Sequence, residues 1–220
     1  MFPLDDSVDI KSWPIFLFGI VVANFFVFLY ETSLSNTAIE QLFQTFGLVP
    51  ATAFSTIPHF FVAASTSMFL HLGWGHLLGN MWFLWIFGRA VEDRLGHLEF
   101  LVLYCLSGWF AAVVQLLINP GETSPMVGAS GAISGVLGAY CYAFPRSRIK
   151  TLMLIWFWLR LVEIPAAVYL GFWFFMQVIT GFNTILSGDQ TPVQVAFFAH
   201  VGGFVCGLMI AYLTLDRETY

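Results

Sequence analysis

The chain has 220 residues, of which 59% are hydrophobic and 10% charged, with 25 Phe, 8 Trp and only 8 Lys+Arg. A soluble domain carries about 25% charged residues, so a water-soluble protein is excluded and lipid must be the solvent for most of this surface. The net charge of −5, with no basic cluster beyond the short run Arg146, Arg148, Lys150, excludes a nucleic-acid partner.

The N-terminus carries Asp5, Asp6 and Asp9 before its first basic residue, Lys11. It therefore lacks the positive n-region of a cleaved signal, and the first apolar run is expected to be retained as a span. A membrane crossing needs roughly 17 to 25 largely apolar residues. About six runs are candidates: 14–30, 73–88, 98–118, 130–145, 164–182 and 193–214. They are broken at polar or Pro/Gly-containing stretches such as 31–37, 119–125 and 183–192. Residues 1–13 read as a cytoplasmic N-terminal segment, 14–215 as the membrane domain and 216–220 as a cytoplasmic tail.

Lys and Arg are retained on the cytoplasmic side of a membrane. Lys11 precedes the first run, Arg89 and Arg94 follow the second, Arg146, Arg148, Lys150 and Arg160 follow the fourth, and Arg217 follows the sixth. With alternating crossings, all eight fall on one side, and both termini are expected to be cytoplasmic. The loop 31–72 has no Lys or Arg, and its stretch Ala38 to Phe46 has apolar residues at helical spacing, which suits the membrane interface. Residues 151–162 are apolar but contain Arg160 and follow the fourth run too closely to cross again, so they are assigned to the cytoplasmic interface. Cys105, Cys141 and Cys206 each lie in an apolar run and read as small buried hydrophobes, with no disulfide framework. No metal or other cofactor is expected.

The fourth run opens with Gly128-Ala129-Ser130-Gly131, and Ser130 precedes Arg146 by sixteen residues, about 24 Å of helix. In a hydrocarbon core near 30 Å, Ser130 sits below the outer surface at a helix start. His200 precedes Arg217 by seventeen residues, which places it about 25 Å from the same edge. A histidine inside a span is costly and requires a hydrogen-bonding partner, and Ser130 lies at the matching depth. Close approach of the two helices requires small residues. Ser134 and Gly138 follow Ser130, with Gly131 and Gly135 beside them, and Gly203 and Gly207 follow His200. Such stripes also serve packing alone, and a serine at a helix start also serves as a cap; the matched depth favours imidazole taking the serine proton. His76 and Asn80, four apart, share a helix face and could both donate to a developing oxyanion, or pair simply to pack helices. His71 falls nearer the interface, where a water-exposed histidine is unremarkable.

Together, HLGWGHLLGN from His71 to Asn80, GASG at Ser130 and AHVGG from Ala199 to Gly203 resemble the rhomboid family, in the order found there. The resemblance covers most of residues 50–214 and includes Glu92 and Arg94. It implies an all-α polytopic fold, a six-transmembrane-helix bundle with a membrane-embedded first loop. It also implies an intramembrane serine endopeptidase with Ser130 as nucleophile, His200 as base, and His76, Asn80 and the backbone N–H of Ser130 lining the oxyanion hole, with Gly128 at the substrate-binding site. Glu92 and Arg94 are then structural. Transmembrane protein substrates and the lipid bilayer are the expected partners, in a bacterial inner membrane. Two departures stand out: Val195 replaces a glycine often found five residues before the histidine, and Ser134 stands where some members have a tyrosine that stacks on it. A proteolytically inactive relative that binds or escorts membrane proteins is the alternative, although both dyad residues are present. A transporter is disfavoured by the lack of inverted repeats and charged midplane sites, and a zinc protease by the lack of HExxH. An aspartyl protease is disfavoured because no pair of aspartates lies in the runs and Asp189 stands alone in a loop.

Overall fold

The computed structural model describes residues 1–187 and 196–215. Strand β1 (Phe2–Asp6) leads into helices α1 (Ile15–Thr32), α2 (Asn36–Phe46), α3 (Ile57–Thr66), α4 (Trp74–Leu95), α5 (His97–Ile118) and α6 (Ser130–Ala143). Strands β2 (Arg148–Ile155) and β3 (Trp158–Pro165) follow, and then α7 (Ala166–Ser187) and α8 (Phe197–Thr214). Over its described residues each of the six apolar runs coincides with a helix, although the second continues to Leu95. Among the described residues four helices are long and apolar enough to cross a membrane: Ile15–Thr32, His97–Ile118, Ala166–Leu186 and Phe197–Thr214. The other two runs fall short for visible reasons: α4 carries His76, Asn80 and Arg89 even before its charged last turn, and α6 has 14 residues. The protein is thus a mostly helical integral membrane protein.

The expectation of an all-α fold is corrected by a three-stranded antiparallel sheet of order β1-β2-β3. Residues 148–165, which include the 151–162 segment assigned to the interface, form a hairpin whose register runs from Arg148 opposite Pro165 to Ile155 opposite Trp158. The N-terminal segment completes the sheet through Phe2 opposite Leu152 and Asp6 opposite Ile149. Its attachment to the helices is polar. Asp6 accepts from Tyr140 Oη at 2.7 Å, and Arg89 contacts Asp5 at 3.2 Å and Asp6 at 3.6 Å. Burial pushes the Asp6 carboxyl above the usual carboxylate range, against the opposing pull of Tyr140 and Arg89. The hairpin keeps β3 to Pro165, so α7 begins at Ala166, whose N–H donates to Ser147 O at 2.8 Å. At the far end of the hairpin, Trp156, Phe157 and Trp158 are exposed.

In the first loop, the helical spacing around Ala38 to Phe46 appears as α2, which Ser35 caps through its side chain. Glu92 is fully buried and accepts from the backbone N–H groups of Phe16 and Leu17, at 2.9 and 2.8 Å, and from His97 Nδ1 at 2.6 Å. A carboxylate at the start of α1 satisfies N–H groups that have no intrahelical acceptor and complements the helix dipole. The structural reading of Glu92 therefore has a geometric basis. Cys105, Cys141 and Cys206 are free thiols, each partly exposed rather than fully buried.

The small-residue stripes meet across α6 and α8. A Cβ on Gly203 would run into Gly131 O, one on Gly207 into Gly135 O, and one on Gly138 into Phe204 O. The two backbones touch because side chains are missing there, so dispersion contacts replace a hydrophobic drive that lipid cannot supply.

Candidate functional site

Ser130 is the first residue of α6. The loop before it is tied down by a bridge between Leu48 and Met126, with N–H to O distances of 3.0 and 2.8 Å, and by Ala51 N–H donating to Glu122 O at 3.0 Å. Glu122 in turn accepts from Ser124 and Thr123, and those hydrogen bonds, from Ser124 first, hold its carboxyl below the usual range. Gly128 has φ +124°, a backbone that side chains disfavour. Its N–H donates to Ser67 O at 2.9 Å, so what it offers the cavity is space. A Cβ there would lie 2.7 Å from both Cε1 and Nε2 of His76 and 3.7 Å from Asn80 Nδ2.

His200 projects from the first turn of α8. Gln115 of α5 helps to hold that helix start, accepting from Ala199 N–H at 3.2 Å. Backbone contact between α6 and α8 then brings His200 Nε2 to 2.8 Å from Ser130 Oγ. The depth arithmetic predicted two residues at one level, and the structure places them in one hydrogen bond.

On the other ring nitrogen, His200 Nδ1 lies 2.8 Å from Gln177 Oε1 of α7. The ring is flanked by Trp173, at 6.0 Å between centroids and 35° between planes, and by Phe197, edge-on at 6.4 Å and 88°. With Ser134 in the place of that tyrosine, other groups surround His200. Ser134 turns back along its own helix and donates to Ser130 O at 2.6 Å, while α7 supplies the residues around the imidazole. A Trp and a Gln four apart in a span, Trp173 and Gln177, are the signal that could have drawn attention to this face.

Asn80 is buried, and its Nδ2 donates to His71 Nε2 at 3.0 Å. His71 is 1% exposed, which corrects the expectation of a water-facing residue. Its ring packs edge-on against His76, at 5.0 Å between centroids and 63°, and its backbone N–H donates to the Glu31 carboxyl of α1 at 3.2 and 3.3 Å. An amide nitrogen has two hydrogens, so Asn80 can bond His71 with one and point the other into the cavity. Ser130, His200, His76, Asn80 and Gly128 all line one cavity of about 1150 Å³. At the start of α6 the backbone N–H of Ser130 has no intrahelical acceptor. A hydroxyl hydrogen-bonded to an imidazole therefore opens on the same cavity as several donors. Val195 lies outside the described residues. Among the described residues no cluster could hold a metal ion.

A family model described as the Rhomboid domain matches residues 58–217. The chain is similar to "Rhomboid-like protein 11, chloroplastic" of Arabidopsis thaliana, with 26% identity over 204 residues, covering 90% of this chain and 64% of that protein. It is 33% identical over 140 residues to "Presenilin-associated rhomboid-like protein, mitochondrial" of Bos taurus, covering 62% of this chain and 35% of that protein. "RHOMBOID-like protein 7" of Arabidopsis thaliana is 30% identical over 195 residues, covering 88% and 56% respectively. The chain thus spans between about a third and two thirds of the length of these relatives. Two of their names carry organelle locations, chloroplastic and mitochondrial, and lend no support to a bacterial inner membrane.

Proposed function

This chain belongs to the rhomboid family, and we propose that within it the chain is an intramembrane serine endopeptidase that hydrolyses peptide bonds in or near the transmembrane segments of other membrane proteins. The observation that carries this reading is the 2.8 Å contact between Ser130 Oγ and His200 Nε2 at a cavity shared with His76 and Asn80. In this mechanism, His200 Nε2 takes the proton of Ser130 as Oγ attacks the scissile carbonyl. Charge developing on the carbonyl oxygen is met by Asn80, His76 and the Ser130 N–H. His200 then delivers its proton to the leaving amine, and water drawn in by the same imidazole hydrolyses the acyl-enzyme.

The proposed membrane domain crosses six times, through α1, α4, α5, α6, α7 and α8, with both termini cytoplasmic. Reporters fused after Tyr220 are expected to be cytoplasmic, and those inserted in 183–192 external. An external C-terminus would rule out this arrangement.

The substrate should be another membrane span. A helix holds its carbonyls in internal hydrogen bonds and must unwind locally before Ser130 can attack, and Gly and Pro lower that cost, being about 1 and 3 kcal/mol less favourable than Ala in a helix interior. The test uses the purified full chain in a bilayer, with a fluorophosphonate probe for Ser130 and two single-span substrates. One has a Gly/Ala-rich outer third, and the other is uniformly Leu. Labelling of wild type and faster cleavage of the first are expected. Wild type that neither labels nor cleaves would overturn the protease reading, and equal rates at the same bond would overturn the account of specificity.

A further inference from the structure

The side chain least expected at this site is Gln177. It lies in α7, a helix that exposes Phe172, Phe175, Met176 and Ile179 around it, and a primary amide in such a segment is costly unless its polar atoms are bonded. Its Oε1 is bonded to the one histidine atom whose protonation decides whether the base works. A neutral imidazole carries a single N–H. If that hydrogen is on Nε2, the nitrogen facing Ser130 Oγ can only donate, and the serine proton has nowhere to go. If it is on Nδ1, then Nε2 is free to accept. A carbonyl oxygen 2.8 Å from Nδ1 can only accept, so it favours the second tautomer.

Resting on the protease reading above, we propose that Gln177 is the positioning residue of this enzyme: its side-chain carbonyl holds His200 in the Nδ1–H tautomer and fixes the ring plane, a task that serine hydrolases of other folds give to a carboxylate. Trp173, one turn earlier on the same face, limits rotation of the ring from one side. The remaining groups at the imidazole leave this role to Gln177. From α4 the titratable group facing it is His76, on the far side of the cavity; α6 contributes Ser130; α5 contributes the neutral Gln115, which is occupied with Ala199 N–H. Among the described residues no carboxylate is hydrogen-bonded to His200. A neutral acceptor orients the base without placing a full charge beside the proton it picks up, and it places a helix other than α6 and α8 in control of the base.

The experiment uses the full chain in a bilayer with three variants, Gln177→Leu, Gln177→Asn and Gln177→Glu, read for kcat, KM and pH–rate profile. Losing a bonded acceptor beside a buried donor corresponds to about a 10- to 100-fold effect, expected here in kcat of Gln177→Leu with KM within twofold. Gln177→Asn, one methylene short, should fall between. Gln177→Glu keeps an acceptor and should retain cleavage, but its negative charge favours imidazolium, so the acid limb of its profile should move to higher pH. A residue needed only for packing would not move that limb. Independently of turnover, ¹⁵N-histidine spectra of the full chain should show the His200 resonance, assigned by its loss in His200→Ala, as the Nδ1–H tautomer in wild type and as a mixture in Gln177→Leu. Active wild type with unchanged kcat in Gln177→Leu and an unmoved limb in Gln177→Glu would overturn the proposal. So would an Nε2–H tautomer in wild type. Inactive wild type that still shows the Nδ1–H tautomer, lost in Gln177→Leu, would overturn the protease reading while supporting the role of Gln177 in orienting the ring.

Discussion

Ser130→Ala and His200→Ala should each reduce cleavage of a membrane-span substrate by on the order of 10⁶-fold, and the double variant should be no worse than either alone. The expectation comes from the geometry: among the described residues the base hydrogen-bonded to Ser130 Oγ is His200, at 2.8 Å, and Ser130 is the hydroxyl bonded to that imidazole. Removing either partner removes the whole device, so the losses cannot add. Ser130→Ala should also abolish fluorophosphonate labelling. His200→Ala should slow it strongly, because the hydroxyl is a weak nucleophile without a base. Both side chains are partly exposed to the cavity, so neither truncation opens a hole in the core, and the variants should fold. Cleavage by Ser130→Ala near the wild-type rate would end the serine-protease reading.

The second large effect is expected on the opposite wall of the cavity. Gly128→Ala faces two penalties: a backbone at φ +124° and a Cβ 2.7 Å from two ring atoms of His76. Real Cβ atoms do not come so close, and in a packed interior the neighbour must move. The neighbour is an imidazole proposed to donate to the oxyanion, so the expected result is the loss of one such donor, about 10²–10³ in kcat. Asn80→Ala should give a similar loss from the other donor. Both should leave apparent substrate affinity nearly unchanged, because these bonds strengthen only as charge develops. Combining Gly128→Ala with His76→Ala should cost less than the sum, since the clash disappears with the ring. A defect confined to KM in Asn80→Ala would contradict its assignment to the oxyanion.

The two predictions draw on different kinds of information. Pairing Ser130 with His200 was possible from the chain alone, because helix rise is constant and a basic residue marks the membrane edge; sixteen and seventeen residues become nearly equal depths. The helical positions follow for the same reason, since apolar runs of this length in lipid must satisfy their own backbone. The glycine stripe on α6 and α8 was equally legible, as close approach requires missing side chains.

Other features depended on chain segments that sequence keeps far apart. Residues 151–162 read as an apolar segment at the interface, and the strand character of 148–165 depends on pairing of its two halves with each other and with Phe2–Asp6, more than 140 positions earlier. His71 looked like a surface residue until Glu31 and Asn80 enclosed it. Ser134 could have faced His200 by helical spacing, but its hydroxyl bonds its own helix. Sequence alone thus determined a helical membrane protein with a serine and a histidine at one depth, because hydropathy and helix rise are local properties. Which atoms surround the imidazole, Gln177 above all, was decided only by how α7 is rotated against α8, and rotation is set by packing between helices that no single stretch of sequence contains.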